Sequence, residues 1–192
     1  GSAIIIIILA PLLWIFFLYD YQKNRVLTFL DPLRDPLGSG YHIIQSKIAL
    51  GSGGLFGKGF LQGTQSHLNF LPEMQTDFIF TLLAEEFGIL GTLTLLFLFM
   101  IIIFYSLIIG LICKSRFACF ISIGVSINIF YYVFINTAMV SGLIPVVGVP
   151  LPLVSYGGTS MLCVMFGLGL VSNAYINRNK VLSRYQDGIF GW

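Results

Sequence analysis

The stretch Pro72-Glu73-Met74-Gln75-Thr76-Asp77-Phe78-Ile79-Phe80 runs on through Thr81 to Glu85-Glu86-Phe87-Gly88 and then into uninterrupted apolar sequence. A polar, proline-marked loop ends here and a strongly hydrophobic helix begins. One carboxylate stands at the threshold and two more lie a few turns inside. Hydrocarbon penalises an ionised acid, so an acid at the lip of a membrane span points to water, a partner or a substrate that stabilises it. The competing reading is local: Thr76 and Asp77 cap the helix and satisfy free N–H groups at the positive end of its dipole. Residue types alone leave both open.

Working outward, the composition fixes the class. Hydrophobic residues make up 57% of the chain and charged residues 9%, with a mean hydropathy of +0.92, against about a quarter charged in soluble domains. The sequence predicts an all-α, polytopic transmembrane bundle of about four spans, near 3–19, 78–113, 117–140 and 153–176. Its long outer loop, 20–76, carries short interfacial helices. A net charge of +2, with no basic, aromatic-interleaved patch, argues against nucleic acid. Cys113, Cys119 and Cys163 are an odd number without metal-ligand spacing, so neither a disulfide framework nor a zinc site is indicated.

The run 3–19 has no basic segment before it and no small-residue cleavage site after it, so it reads as a retained span. In the loop, Asp31-Pro32 and Asp35-Pro36 break the backbone. Tyr41 to Leu50 then suits a short helix with Tyr41, Ile44 and Ile48 on one side, and Gly51-Ser52-Gly53-Gly54 stops it. Lys58 after these glycines is a poor phosphate loop, because the Walker spacing and the preceding strand are missing. The predicted span 78–113 exceeds the ~20 residues a bilayer needs, which implies tilt or projection. In the third span Ser122, Ser126, Asn128 and Asn136 are read as interhelical hydrogen-bonding residues. Gly167 and Gly169 in the last are read as close helix contacts.

A second irregular stretch runs from Ser141 to Ser160, with Pro145, Pro150 and Pro152 among several glycines. Non-helical backbone at membrane depth is tolerated only against protein or a wet cavity, so its N–H groups and hydroxyls suit an anionic ligand or a tight turn. Lys114 and Arg116 in one short connection, and Arg178, Lys180 and Arg184 after the last span, mark the cytoplasmic side. Alternation then puts Asp77 and the proline-rich stretch together on the outer face, with the C-terminus inside.

Arg25-Val26-Leu27-Thr28-Phe29-Leu30-Asp31-Pro32, Gln45-Ser46-Lys47-Ile48-Ala49, Gly51-Ser52-Gly53-Gly54, the block from Pro72 to Glu86 and the block from Pro145 to Ser160 together resemble the bacterial shape, elongation, division and sporulation family. Val146-Val147-Gly148 sides with its elongation type. The resemblance covers nearly the whole chain and matches the C-terminal part of that family's members. It implies a peptidoglycan glycosyltransferase of the bacterial cytoplasmic membrane. Such an enzyme polymerises lipid II into glycan strands on the outer face, beside a class B penicillin-binding protein. It also implies that Asp77 is required for activity.

Transfer from a lipid pyrophosphate needs a base for the attacking hydroxyl, and cations or a divalent metal for the leaving group. Asp77 suits the first role. Lys47 and Lys58, or Arg25 and Arg34, are candidates for the second. Glu73 is expected to keep Asp77 basic by like-charge repulsion. Ser155, Gly157, Gly158 and Ser160 are expected to line the substrate site, and Glu85 and Glu86 are read as internal polar contacts. A lipid II flippase or transporter and a non-enzymatic scaffold for cell-wall enzymes are the rival classes, although the polar residues gather at the outer side rather than through the membrane depth.

The topology has a direct check. In a background without the native cysteines, a membrane-impermeant thiol reagent should label a cysteine at Ser66 in spheroplasts and spare one at Ser183. The reverse pattern overturns the assignment of sides.

Overall fold

The computed structural model describes residues 19–31, 38–60, 62–63 and 76–179. The predicted span at 3–19 and residues Arg34, Glu73, Lys180 and Arg184 lie outside them. Five helices follow in order: α1 (Asp20–Leu30), α2 (Ser39–Ser52), α3 (Ile79–Ile112), α4 (Arg116–Val140) and α5 (Gly158–Ile176). Among the described residues α3, α4 and α5 are each long and apolar enough to cross a membrane, so the chain forms a polytopic helical bundle. Phe97, Phe104, Phe120, Phe134, Leu162 and Phe166 stand on its outside, where lipid tails are as apolar as the side chains.

The α3–α4 hairpin is the core of the bundle. At Gly110 an added Cβ would lie 2.9 Å from Ile123 and 3.2 Å from the Cys119 carbonyl, so the absence of a side chain lets the two backbones close up. Higher in the crossing, Ser126 Oγ donates to the Ile103 carbonyl (2.8 Å). Phe78, Phe80, Phe99, Ile103, Ile129, Val133, Met139, Val140 and Leu151 fill the interior. Gly167 of α5 meets Val125 of α4, as its spacing suggested, but Gly169 faces open space. Lys114 N–H donates to the Arg178 carbonyl (3.0 Å), so the two cationic turns share one end, opposite Asp77.

The length of α3 has a structural cause that tilt does not supply. Gly88 breaks the helix with φ 68° and ψ −163°, a conformation open essentially to glycine alone. Residues 89–112 alone extend about 36 Å at 1.5 Å per residue, enough for the hydrocarbon core, and residues 79–87 form a separate half-helix. Across the break the loop 53–59 replaces the missing helical hydrogen bonds. Lys58 N–H donates to the Glu85 carbonyl (3.0 Å) and Gly59 N–H to the Glu86 carbonyl (3.1 Å). In return, Ile89 N–H donates to Gly54 (3.0 Å) and Leu90 N–H to Leu55 (3.2 Å).

Such backbone-to-backbone contact requires glycines. A Cβ on Gly53 would collide with the Ala84 carbonyl, one on Gly57 would lie 2.6 Å from Phe87 N, and one on Gly88 would lie 2.6 Å from the Leu55 carbonyl. The same closeness decides how α2 is seated. Its buried face is Ile43, Ser46 and Ala49, while Ile48 is half exposed. The larger side, Tyr41, Ile44 and Ile48, is therefore not the seam, because small side chains let α2 approach α3 and α4. Ser46 Oγ, fully buried, donates to Ile43 (2.9 Å) and across to Val140 at the end of α4 (3.1 Å).

The last helix opens at Gly158, not at 153. Leu153 has φ 62° and Pro152 precedes it, so residues 153–157 stay in an irregular turn.

Glycine substitutions separate close approach from helix propensity. Gly51→Ala, in α2 with nothing within 4 Å, should be neutral or raise stability by up to about 1 kcal/mol. Gly57→Ala and Gly88→Ala should each cost roughly 2 kcal/mol or more. Thermal unfolding of the detergent-solubilised protein reads the difference, and equal shifts at all three sites would remove the loop-for-helix exchange as a source of stability.

Candidate active site

Thr76, Asp77 and Phe78 form the turn that opens α3, with Thr76 and Asp77 half-buried. Two side chains from elsewhere hold this turn by its carbonyls. Asn136 Nδ2, from the last turns of α4, donates to Asp77 O (2.9 Å) and to Val149 O (2.7 Å). Ser155 Oγ donates to Thr76 O and accepts from Leu151 N–H (2.7 Å). The threshold of α3 is thereby tied to the proline-rich stretch at both of its first two residues.

That stretch runs as an irregular shelf from Ser141 to Gly157. Gly142 (φ 70°) and Gly148 (φ 78°) take left-handed turns. A Cβ on Gly148 would lie 3.2 Å from Asp77 Oδ2, so the carboxylate rests directly on exposed glycine backbone. Met139, fully buried beneath, offers its Sδ to the N–H groups of Val147 (3.3 Å) and Gly148 (3.4 Å). A polarisable thioether is a soft acceptor for amides that point from the shelf into the protein. Arg25 of α1 donates from Nη1 to Val146 O (2.9 Å), which fastens an exposed guanidinium to the same shelf. The exposed Lys47 crosses Gly142, where an added Cβ would lie 2.7 Å from its Nζ.

The remaining predicted residues divide. Ser155, Gly157 and Gly158 line an open cleft of about 540 Å³ together with Ile79, Leu153 and Met161, next to the Asp77 turn. Gly158 faces free space within it. Ser160 Oγ donates back to Gly157 O (3.0 Å), and the residue borders a different groove, between α4 and α5, with Asn128, Tyr132 and Gly167. Lys58 is committed to Glu85: Nζ and Oε1 are 2.8 Å apart, with the Glu85 side chain 1% exposed. Among the described residues no three of His, Cys, Asp or Glu gather as metal ligands.

Asn136 and Gly148 are the residues that sequence reasoning did not assign to the site. An asparagine in an apolar helix signals an interior hydrogen bond, but its partners proved to be loop carbonyls rather than another helix.

Residues 2–180 match the profile of the FtsW/RodA/SpoVE cell cycle protein family. The chain belongs to that family. Among its members, the peptidoglycan glycosyltransferase MrdB of Escherichia coli K12 is 52% identical over 185 residues, covering 96% of this chain and 50% of MrdB. The peptidoglycan glycosyltransferase RodA of Treponema pallidum is 42% identical over 162 residues, covering 84% of this chain and 37% of RodA. Stage V sporulation protein E of Bacillus subtilis is 42% identical over 153 residues, 80% of this chain and 42% of that protein. A solved chain described under the structural coordination of polymerization and crosslinking by a peptidoglycan synthase complex superposes with a TM-score of 0.68 at 34% identity. It covers 93% of this chain and 48% of the solved one. The chain thus spans about half the length of the relatives it matches.

The buried pair gives a stability test. Lys58→Met leaves Glu85 buried without its cation and should cost on the order of 3 kcal/mol, whereas the double change with Glu85→Met should recover most of that loss. Melting temperatures of the three variants decide it; a single variant as stable as the unaltered protein would show the pair to be dispensable.

Proposed function

We propose that this chain supplies the catalytic outer-face portion of a peptidoglycan glycosyltransferase that polymerises lipid II during cell elongation. The observation that carries the reading is Asp77. It stands at a helix threshold with both adjoining carbonyls clamped, and its Oδ2 lies against open glycine backbone beside a cleft. In this reading Asp77 accepts the proton of the attacking sugar hydroxyl as its oxygen bonds to the anomeric carbon of the donor. The bond from that carbon to the pyrophosphate breaks, and the pyrophosphate leaves with the electron pair. Lys47 and Arg25, exposed along the same shelf, are the cations for the departing charge. Lys58 is given the structural task of neutralising Glu85, and Ser155, Gly157 and Gly158 border the cleft in which substrate is held.

The cationic turns sharing the end opposite Asp77 support an outer-face site with a cytoplasmic C-terminus. Similarity to a chain of a peptidoglycan synthase complex supports a class B penicillin-binding protein as the partner.

The test uses the whole protein reconstituted with that partner, fluorescent lipid II and a blocked transpeptidase. Asp77→Asn keeps size and capping ability but not basicity, and it should lower glycan synthesis roughly a hundredfold or more while insertion and partner binding persist. Near-normal strand growth would reject the catalytic assignment and favour the flippase or scaffold classes.

A further inference from the structure

We infer that Asn136 is a positioning residue for Asp77, acting only through the two N–H bonds of its side-chain amide; this rests on the catalytic reading above. The amide is fully buried, and core residues Val133, Met139 and Val140 surround it in sequence. Its Nδ2 reaches Asp77 O at 2.9 Å and Val149 O at 2.7 Å. One planar NH2 with two donors sets two carbonyl oxygens about 5 Å apart, with little freedom in angle. Those carbonyls belong to Asp77 and to the residue after Gly148. Gly148 is the surface against which Oδ2 rests. A single side chain therefore fixes both the carboxylate's own backbone and the backbone it lies on.

The local helix geometry leaves room for this. The N–H of Thr81, which a regular helix would direct at Asp77 O, closes instead on Phe78 O (3.0 Å). Asn136 Oδ1 is buried with no hydrogen-bond partner among the described residues, and the two bonds seen there both come from the amide's donors. Orientation errors of about 1 Å cost on the order of a hundredfold in rate, and removal of the clamp should appear in turnover rather than in substrate binding.

Asn136→Asp is the discriminating variant, since it keeps the shape and loses both donors when ionised. In the reconstituted whole protein it should lower kcat about tenfold or more, with KM for lipid II within about twofold. Relative to the unaltered protein, its turnover should recover as pH falls, because a protonated carboxyl regains one donor. Asn136→Leu should show the loss without that recovery. A merely structural asparagine predicts lowered melting temperature with no pH signature. The inference is overturned by an Asn136→Leu protein with normal kcat, or by an Asn136→Asp pH profile parallel to the unaltered one. Asp77→Asn, measured alongside, separates the two failures. If it is active, the catalytic reading falls; if it is inactive while the Asn136 variants turn over normally, only the clamp falls.

Discussion

Four peptide groups around Gly88 govern the architecture. When a helix breaks where the protein buries it, the carbonyls and amides it releases have no water to meet, and each one left bare costs several kcal/mol. Here the loop 53–59 enters the break and exchanges hydrogen bonds on both sides, with Glu85, Glu86, Ile89 and Leu90. The exchange demands contact between backbones, which selects glycine at 53, 57 and 88. It also carries Lys58 to Glu85, so that the carboxylate buried by the break meets its cation on the segment that fills the break.

From that junction the Asp77 end of the bundle is built. The half-helix 79–87 is held at its far end by the glycine loop and at its near end by Asn136 and Ser155. α2, seated by Ser46 on Val140, and α1, fastened by Arg25 to Val146, enclose the same platform. A carboxylate in a turn whose carbonyls are clamped at the mouth of a half-helix is less free to wander than one in an open loop, and catalytic geometry benefits from rigid support. The shelf opposite is irregular, and it must be, since regular helix would point no backbone at the carboxylate.

Much of this is legible in the amino-acid sequence. Hydropathy located α3, α4 and α5, because burial in lipid acts residue by residue and leaves its mark in contiguous sequence. The acid at 77, the prolines at 145, 150 and 152 and the basic turns at 114–116 and 178 all break that pattern, and each break is a local signal. They were enough to put the two irregular stretches on one side and to single out Asp77. The face of α2 was harder, because the bulkier side is only partly buried while Ile43, Ser46 and Ala49 form the seam, and close packing favours smallness as much as apolarity.

What the sequence alone determined is therefore the membrane class and the approximate places of α3, α4 and α5, and it singled out Asp77 as the acid to examine. Only the tertiary structure decided which distant segments hold the backbone around that acid. Lys58 meets Glu85 across 27 residues, Asn136 meets Asp77 across 59, Ser155 meets Thr76 across 79 and Arg25 meets Val146 across 121. Hydrogen bonds of irregular backbone have no fixed period. Their partners are set by which chain segments are close enough to replace water, and that is a property of the packed bundle.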